Sequence, residues 1–208
     1  MQYHKIDSLF KRDEKGRMLF GEFSKPEFEY LRGNQWVFDE KVDGTNIRII
    51  WDGSKVTFGG KTDNAQIPAF LVTRLMELTA DKSYGLLFTS PAVIYGEGYG
   101  AKIQKGGGNY NTKGQDFIVF DVLVGNVWLK REDVKSIAGS LGLDVVPIIG
   151  EGTLDDLANE TGRGIKSVWG DFSAEGIVAR PKVEFRNRMG NRIITKLKTR
   201  DFLSREET

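Results

Sequence analysis

The chain has 208 residues, a formal net charge of +1, no cysteine and one histidine. That length suits one domain, or one domain with a small appendage. The composition removes disulfides, thiolate metal sites, histidine-rich zinc sites and His-based triads, while a hydrophobic fraction of 39% with 13 Phe and 4 Trp is that of a folded core.

No apolar run approaches the ~20 residues of a membrane helix. Met1 to Arg17 is charged throughout and lacks the apolar stretch of a secretory signal, so a soluble, cytoplasmic protein is expected. In chain order, Trp36–Lys41 and Asn46–Trp51 are short runs rich in β-branched and aromatic residues, with Val42-Asp43-Gly44-Thr45 as the turn between them. Asp52-Gly53 makes a second hairpin turn into Lys55–Phe58. Leu71, Leu75 and Leu78 recur at helical spacing over Pro68 to Leu78, with Pro68 in the first turn. Ala92–Tyr95 and Phe117–Val124 are apolar enough for interior strands, and Gly125-Asn126 turns the latter into Val127–Leu129. Arg131–Leu141 repeats the helical spacing at Val134, Ile137, Ala138 and Leu141, and Gly142 ends it. Thr153 is the expected N-cap of a helix whose acidic first turn holds Asp155 and Asp156. Ile177–Ala179 and Ile193–Leu197 read as late strands. There is no repeat and no low-complexity linker. Two or three short helices among eight or more strands indicate an α+β fold of mainly antiparallel sheets. His4 reads as a surface residue and the four Trp as packing.

Charge is uneven. Nine basic residues lie between Arg180 and Arg205, opposed only by Glu184 and Asp201. Such an end suits a polyphosphate or nucleic-acid partner, or equally a solvated hairpin.

The chemistry-bearing residues begin with Glu40-Lys41-Val42-Asp43-Gly44-Thr45-Asn46. A lysine at a strand end before a tight turn is held rigidly at a sheet edge. It is a nucleophile only when neutral, and with a free pKa of ~10.4 only on the order of one molecule in a thousand is neutral near pH 7. Lowering that pKa by about three units takes roughly 4 kcal/mol, which burial, a nearby cation or a metal ion can supply. Lys-x-Asp-Gly alone arises by chance on the order of one time in ten. More specific is the ordered series downstream of it: Tyr95-Gly96-Glu97-Gly98, Asp116-Phe117-Ile118-Val119-Phe120-Asp121, Glu175-Gly176-Ile177-Val178 and Lys196-Leu197-Lys198, whose alternation puts both lysines on one face. Nucleotidyl transfer needs such a set: a ring to stack on a base, carboxylates for ribose or metal, and cations for phosphate oxygens.

This series resembles the covalent nucleotidyltransferase superfamily of DNA ligases, RNA ligases and mRNA capping enzymes. It is most similar to the ATP-dependent RNA ligases that seal nicks in duplex RNA, especially phage-encoded members, over about Trp36 to Phe202. The resemblance implies an ATP-grasp-like ligase adenylation domain, with 1–208 as a single adenylyltransferase domain. It implies that Lys41 forms a lysyl-AMP with ATP and magnesium or manganese, that AMP passes to a 5′-phosphate end, and that a 3′-hydroxyl displaces it. By position it implies that Glu40, Asp43, Gly44 and Asn46 form the nucleophile's motif, with Glu40 and Asn46 contacting the nucleotide. Glu97 matches the ribose carboxylate and a metal ligand, Phe117 the adenine-stacking ring, and Glu175 the metal-binding carboxylate. Lys196 and Lys198 match the phosphate-contacting pair. In Gly59-Gly60-Lys61-Thr62-Asp63-Asn64-Ala65, Lys61 matches the position that contacts the 5′ end or the ATP phosphates; the family usually has arginine there, and lysine keeps the charge but loses the bidentate fork. The Gly-rich stretch Gly98–Tyr110, with Lys102 and Lys105, reads either as a flexible surface loop or as a mobile phosphate- or strand-binding loop.

RNA ends, nicked or paired, are the implied partner, in the host cytoplasm for a phage-encoded protein and with no membrane role. Related ligases carry an OB-fold or helical domain after this core, and neither fits in Thr199–Thr208. The expectations are a minimal enzyme, an accessory domain or protein that supplies end binding, or a longer parent chain. The alternatives are an ATP-dependent DNA ligase core, a GTP-using capping enzyme, and a non-catalytic nucleic-acid-binding module with the same fold.

Overall fold

The computed structural model describes residues 1–203. The chain forms two compact units, named here for their place in the sequence: a central unit of Met1–His4 with Val42–Val146, and a flanking unit of Lys5–Lys41 with the chain from Pro147 onward. The flanking unit opens with strands β1 (Asp7–Ser8), β2 (Phe10–Arg12) and β3 (Met18–Phe23), helix α1 (Pro26–Tyr30) and strand β4 (Trp36–Lys41). The central unit continues with β5 (Thr45–Trp51), β6 (Val56–Gly59), α2 (Ala69–Thr79), α3 (Tyr84–Leu87), β7 (Ala92–Gly100), α4 (Gly107–Tyr110), β8 (Gln115–Val124), β9 (Val127–Trp128), α5 (Arg131–Ser140) and β10 (Asp144–Val145). The chain returns to the flanking unit with β11 (Ile148–Gly152), α6 (Leu154–Arg163), β12 (Gly176–Pro181), β13 (Thr195–Lys198) and α7 (Arg200–Leu203).

Each unit has its own main sheet, and β2 and β3 form a separate antiparallel pair in the flanking unit. In the flanking unit the order is β1-β13-β12-β4-β11, antiparallel except for the β1–β13 edge. In the central unit it is β10-β8-β7-β5-β6 with β9 beside β8, and only β10–β8 is parallel. The α+β architecture with mainly antiparallel pairing is therefore the one the sequence indicates.

Two-residue periodicity explains β4. Trp36 and Phe38 point to one side and are fully buried, with Leu9, Leu157, Ile177, Ala179 and Leu197 in the same core. Each large ring contributes roughly 2–3 kcal/mol by leaving water. Val37, Asp39 and Lys41 take the other side. Helix α6 starts at a capping box in which Thr153 accepts from the Asp156 amide and Asp156 accepts from the Thr153 amide. Its Leu154, Leu157 and Thr161 face the core at helical spacing. In the central unit, α2 and α5 bury Leu71, Leu75, Val134 and Ala138 against Ile47, Ile49, Val119 and Val122 of the sheet.

Several elements depart from expectation. Residues 5–23 hold three short strands, and Leu9, Phe10 and Met18 enter the flanking core. Their apolar positions are too few and too interrupted by charge to show a period. His4 is half-buried and stacks on Tyr3 at 4.5 Å. The Gly98–Tyr110 stretch is folded down: Ile103 and Tyr110 are buried, and the Gly106 amide donates to Asp43 Oδ2 at 2.9 Å. Arg205, part of the basic C-terminal run, lies outside the described residues. Among those described, no helix is long and apolar enough to cross a membrane.

Candidate active site

The chemistry-bearing residues of the flanking unit meet on the face of its sheet that points away from its core. Register places Lys41 opposite Gly176, and Gly176 opposite Lys198. Lys41, Gly176 and Lys198 thus form one row across β4, β12 and β13, with Lys196 two residues along β13 on the same face. Glu175, just before β12, reaches over this row. Its Oε2 accepts from Lys41 Nζ at 2.5 Å and its Oε1 accepts from Lys198 Nζ at 2.5 Å. The three side chains are 14–22% exposed. Burial pushes the Glu175 carboxyl up, but the charge of Lys41 and the hydrogen bonds from both lysines outweigh it and hold the carboxyl below its ordinary value.

The middle of the row must be glycine. A Cβ on Gly176 would lie 2.0 Å from Leu197 O and 2.8 Å from Lys198 Cα, both backbone atoms that no rotamer change can move. Beyond the lysines on the same face, Asp39 pairs with Arg180 at 3.2 Å, and Asp39 is nearly buried. Neither residue stands out in the sequence as a site residue. The signal was available in the period of two: Asp39 precedes Lys41 by two residues, and Arg180 shares the parity of Gly176.

Glu40 is placed differently from the expected nucleotide contact. Parity turns it to the core side, opposite Ile177, where it is 1% exposed. Its Oε2 accepts from the Val168 amide at 3.0 Å. Its visible role is to anchor the loop before β12, and the face of the sheet that carries Lys41 is closed to it.

In the central unit, Asn46 of β5 and Glu97 of β7 are cross-strand partners. Both are half-buried, and the buried Asn46 Oδ1 has no hydrogen-bond partner among the described residues. An orphaned acceptor beside a carboxylate suits a ligand that brings hydroxyl or amino donors. Gly44 packs against this pair: its Cβ would lie 2.3 Å from Gly98 O and 2.8 Å from Glu97 Cγ. The Asp-Gly of the lysine motif is thus dictated by close approach to β7 as well as by the turn.

Phe117 stands opposite Gly98, one pleat out of phase with Glu97, and so faces the other side of the sheet. It is 2% exposed and packed in the core with Ile47, Leu71 and Val119. Stacking on a ligand held by Glu97 is closed to it from that side. The register shift between Tyr95 and Gly96 leaves Phe120 as the extra residue of β8. Phe120 is half-buried and packs with Tyr95 and Tyr3, on the Glu97 face. The phase of a bulged strand is invisible in sequence, so the motif alone does not tell which of the two phenylalanines lies on the Glu97 face.

Lys61 is exposed in the turn after β6. That turn is held by Arg48, a residue the sequence did not mark. Arg48 is buried and donates to Gly60 O at 2.8 Å and to Asp63 Oδ1 at 2.8 Å.

The described residues contain no group of three His, Asp or Glu side chains arranged to cage a metal ion. Glu175 is a single carboxylate, and Glu97 another in the central unit. A lone carboxylate such as Glu175 fits a cation of the magnesium class, which keeps waters and is held mainly by substrate phosphates.

The family model described as RNA ligase matches residues 34–198, from before β4 to the end of β13. This chain belongs to the RNA ligase family. Among solved structures it is similar to RNA ligase from Naegleria gruberi. A variant with AMP and Mn matches at TM-score 0.67 and 17% identity over 88% of this chain and 55% of that one. A variant with ATP and Mn matches at TM-score 0.62 and 18% identity over 98% and 63%. The form with PPi matches at TM-score 0.62 and 17% identity over 99% and 64%. At these identities the likeness shows a shared RNA ligase nucleotidyltransferase fold. This RNA ligase family member spans less than two thirds of the length of those matched structures.

Proposed function

We propose that the protein is an ATP-dependent RNA ligase in which Lys41 forms a covalent bond to AMP. The observation that carries this reading is the row Lys41–Gly176–Lys198 under a shared Glu175, with both ammonium groups 2.5 Å from that carboxylate. The ion pair with Glu175 holds the Lys41 amine in place. Once its proton has passed to solvent, the Nζ lone pair attacks the α-phosphorus of ATP. A P–N bond forms, the bond from that phosphorus to the bridging oxygen breaks, and pyrophosphate leaves with the electron pair. Lys198 and Lys196 share the face and supply positive charge toward phosphate oxygens as the transition state develops. Glu175 orients both amines and is the flanking unit's ligand for a divalent cation. When bound, that cation supplies charge neutralisation on the phosphates.

Asn46 and Glu97 are the proposed nucleoside contacts in the central unit, with Phe120, rather than Phe117, the ring available on their face. Lys61, set by Arg48, is the proposed contact to a phosphate end. Ligation is completed by two displacements: a 5′-phosphate oxygen takes AMP from Lys41, breaking the P–N bond, and a 3′-hydroxyl oxygen then displaces AMP. The RNA ligase family membership favours RNA ends over DNA, and the duplex-nick substrate is carried by the resemblance of the motif series.

The test is incubation with magnesium and ATP labelled on the α-phosphate, then a denaturing gel. A labelled band that is lost in Lys41→Ala is expected. A band of equal intensity in that variant refutes Lys41 as the nucleophile, and no band in the wild type refutes the reading and leaves a binding module. GTP in parallel separates a capping enzyme, and nicked duplexes with RNA or DNA at each side of the nick separate the two ligase types.

A further inference from the structure

The flanking unit contains a cavity of about 470 Å³ whose wall includes Arg163, Ser173, Glu175, Thr199, Arg200 and Phe202. Its volume lies within the ~300–1,000 Å³ range of small-ligand sites. What could fill it is decided by charge. Arg163, at the end of α6, and Arg200, just after β13, are both exposed. Among the described residues no carboxylate pairs with either. Glu175 is the one carboxylate in the wall among the described residues, and Lys41 and Lys198 already hold it. The C-terminal carbonyls of α6 add about half a negative charge, which is small beside two guanidinium groups. Thr199 spends its hydroxyl proton on Ala174 O, so it shapes the wall and does not offer that donor to a ligand. Among the lining side chains positive charge is in excess, and the fork of each guanidinium matches phosphate oxygens.

We propose that this cavity is a phosphate-binding chamber served by Arg163 and Arg200, adjoining the Lys41–Glu175–Lys198 row. The proposal rests on the ligase reading for what brings the phosphate. Two sources share this chemistry: the pyrophosphate that leaves ATP, and the phosphates of the polynucleotide strand being joined. Neither arginine belongs to the motif series, because they lie outside it in sequence and come together only where α6 ends beside the turn after β13.

The experiment compares wild type with Arg163→Ala/Arg200→Ala and, separately, with Ser173→Asp, which places a negative charge in the same wall and keeps both arginines. Calorimetric titration uses sodium pyrophosphate and a 5′-phosphorylated single-stranded RNA. Binding of one of them is expected to weaken at least tenfold in both variants. If that ligand is the RNA, the slope of log K against log salt falls by about 1.4 in the double variant, at ~0.7 per lost cation. With protein pre-labelled on Lys41, slower discharge of label by pyrophosphate assigns the chamber to the leaving group, and impaired transfer of AMP to a 5′-phosphorylated nick assigns it to the strand. A wild type that binds neither ligand, or a double variant that binds both within twofold of wild type, overturns the proposal. Failure of the ligase reading shows separately, as no label on wild-type protein, and the titrations still decide the chamber.

Discussion

Replacing Glu175 with glutamine tests the central arrangement because it keeps the shape and removes the charge. The carboxylate accepts two charge-assisted hydrogen bonds, from Lys41 and Lys198. Each contributes about 1.5–3 kcal/mol. The amide retains one acceptor oxygen for one lysine, while the other ammonium faces an N–H donor. The lysine side chains are 19% and 22% exposed, so water replaces part of what is lost. The expected destabilisation is about 2–3 kcal/mol, which is roughly 4–12 °C in Tm for a chain of this length. The pH dependence carries a sign. The folded-state pKa of Glu175 lies below its ordinary 4.5, so its contribution is complete above the unfolded value and lost as pH falls through the folded one. The Tm gap between wild type and Glu175→Gln is therefore expected to be constant from pH 7 to about pH 5 and to close in more acid solution. The assay is a series of thermal melts from pH 7 to pH 3. A gap under about 1 °C at pH 7, or one that fails to shrink in acid, refutes the claim that two ammonium groups depend on this carboxylate.

Three other substitutions probe the positions that the tertiary structure singled out. Gly176→Ala pushes a methyl into the backbone of β13 and is expected to cost at least about 3 kcal/mol by urea denaturation; stability within about 1 kcal/mol of wild type would contradict the close approach. Arg48→Ala removes the donors to Gly60 and Asp63, with an expected loss of about 2–3 kcal/mol and faster amide exchange over residues 60–65. Arg48→Lys is expected to recover less than half of that loss, because one ammonium cannot reproduce the fork. Phe117→Ala is expected to behave as a core truncation, costing about 3–5 kcal/mol while leaving lysyl-AMP formation per folded molecule within a few-fold, whereas Phe120→Ala is expected to raise the KM for ATP with a smaller effect on stability.

Much of this protein was legible without coordinates. Apolar and β-branched runs located most of β4 to β9 and β12, and helical spacing located α2 and α5, because those elements bury one face and their apolar residues must recur with the backbone's own repeat. The Thr153 cap marked only the start of α6, and β7 runs on to Gly100, beyond its apolar run. The same period placed Lys196 and Lys198 on one face. The short strands β1 and β2 were not legible, since two or three residues contain no period, and their pairing partners lie far along the chain.

For the site, the sequence determined which chemical groups exist and in what order: an amine at a strand end, later carboxylates, and a pair of late cations. Only tertiary structure decided which of them meet. Glu175 lies 134 residues from Lys41, and it is the register of β12 between β4 and β13 that brings both lysines beneath it. The phase of a strand cannot be read from the residue alone, so Glu40 and Phe117 face the cores, while Asp39, Arg180 and Phe120 stand on the opposite faces. Pairing across a sheet is a long-range geometric relation, and local composition carries no record of it.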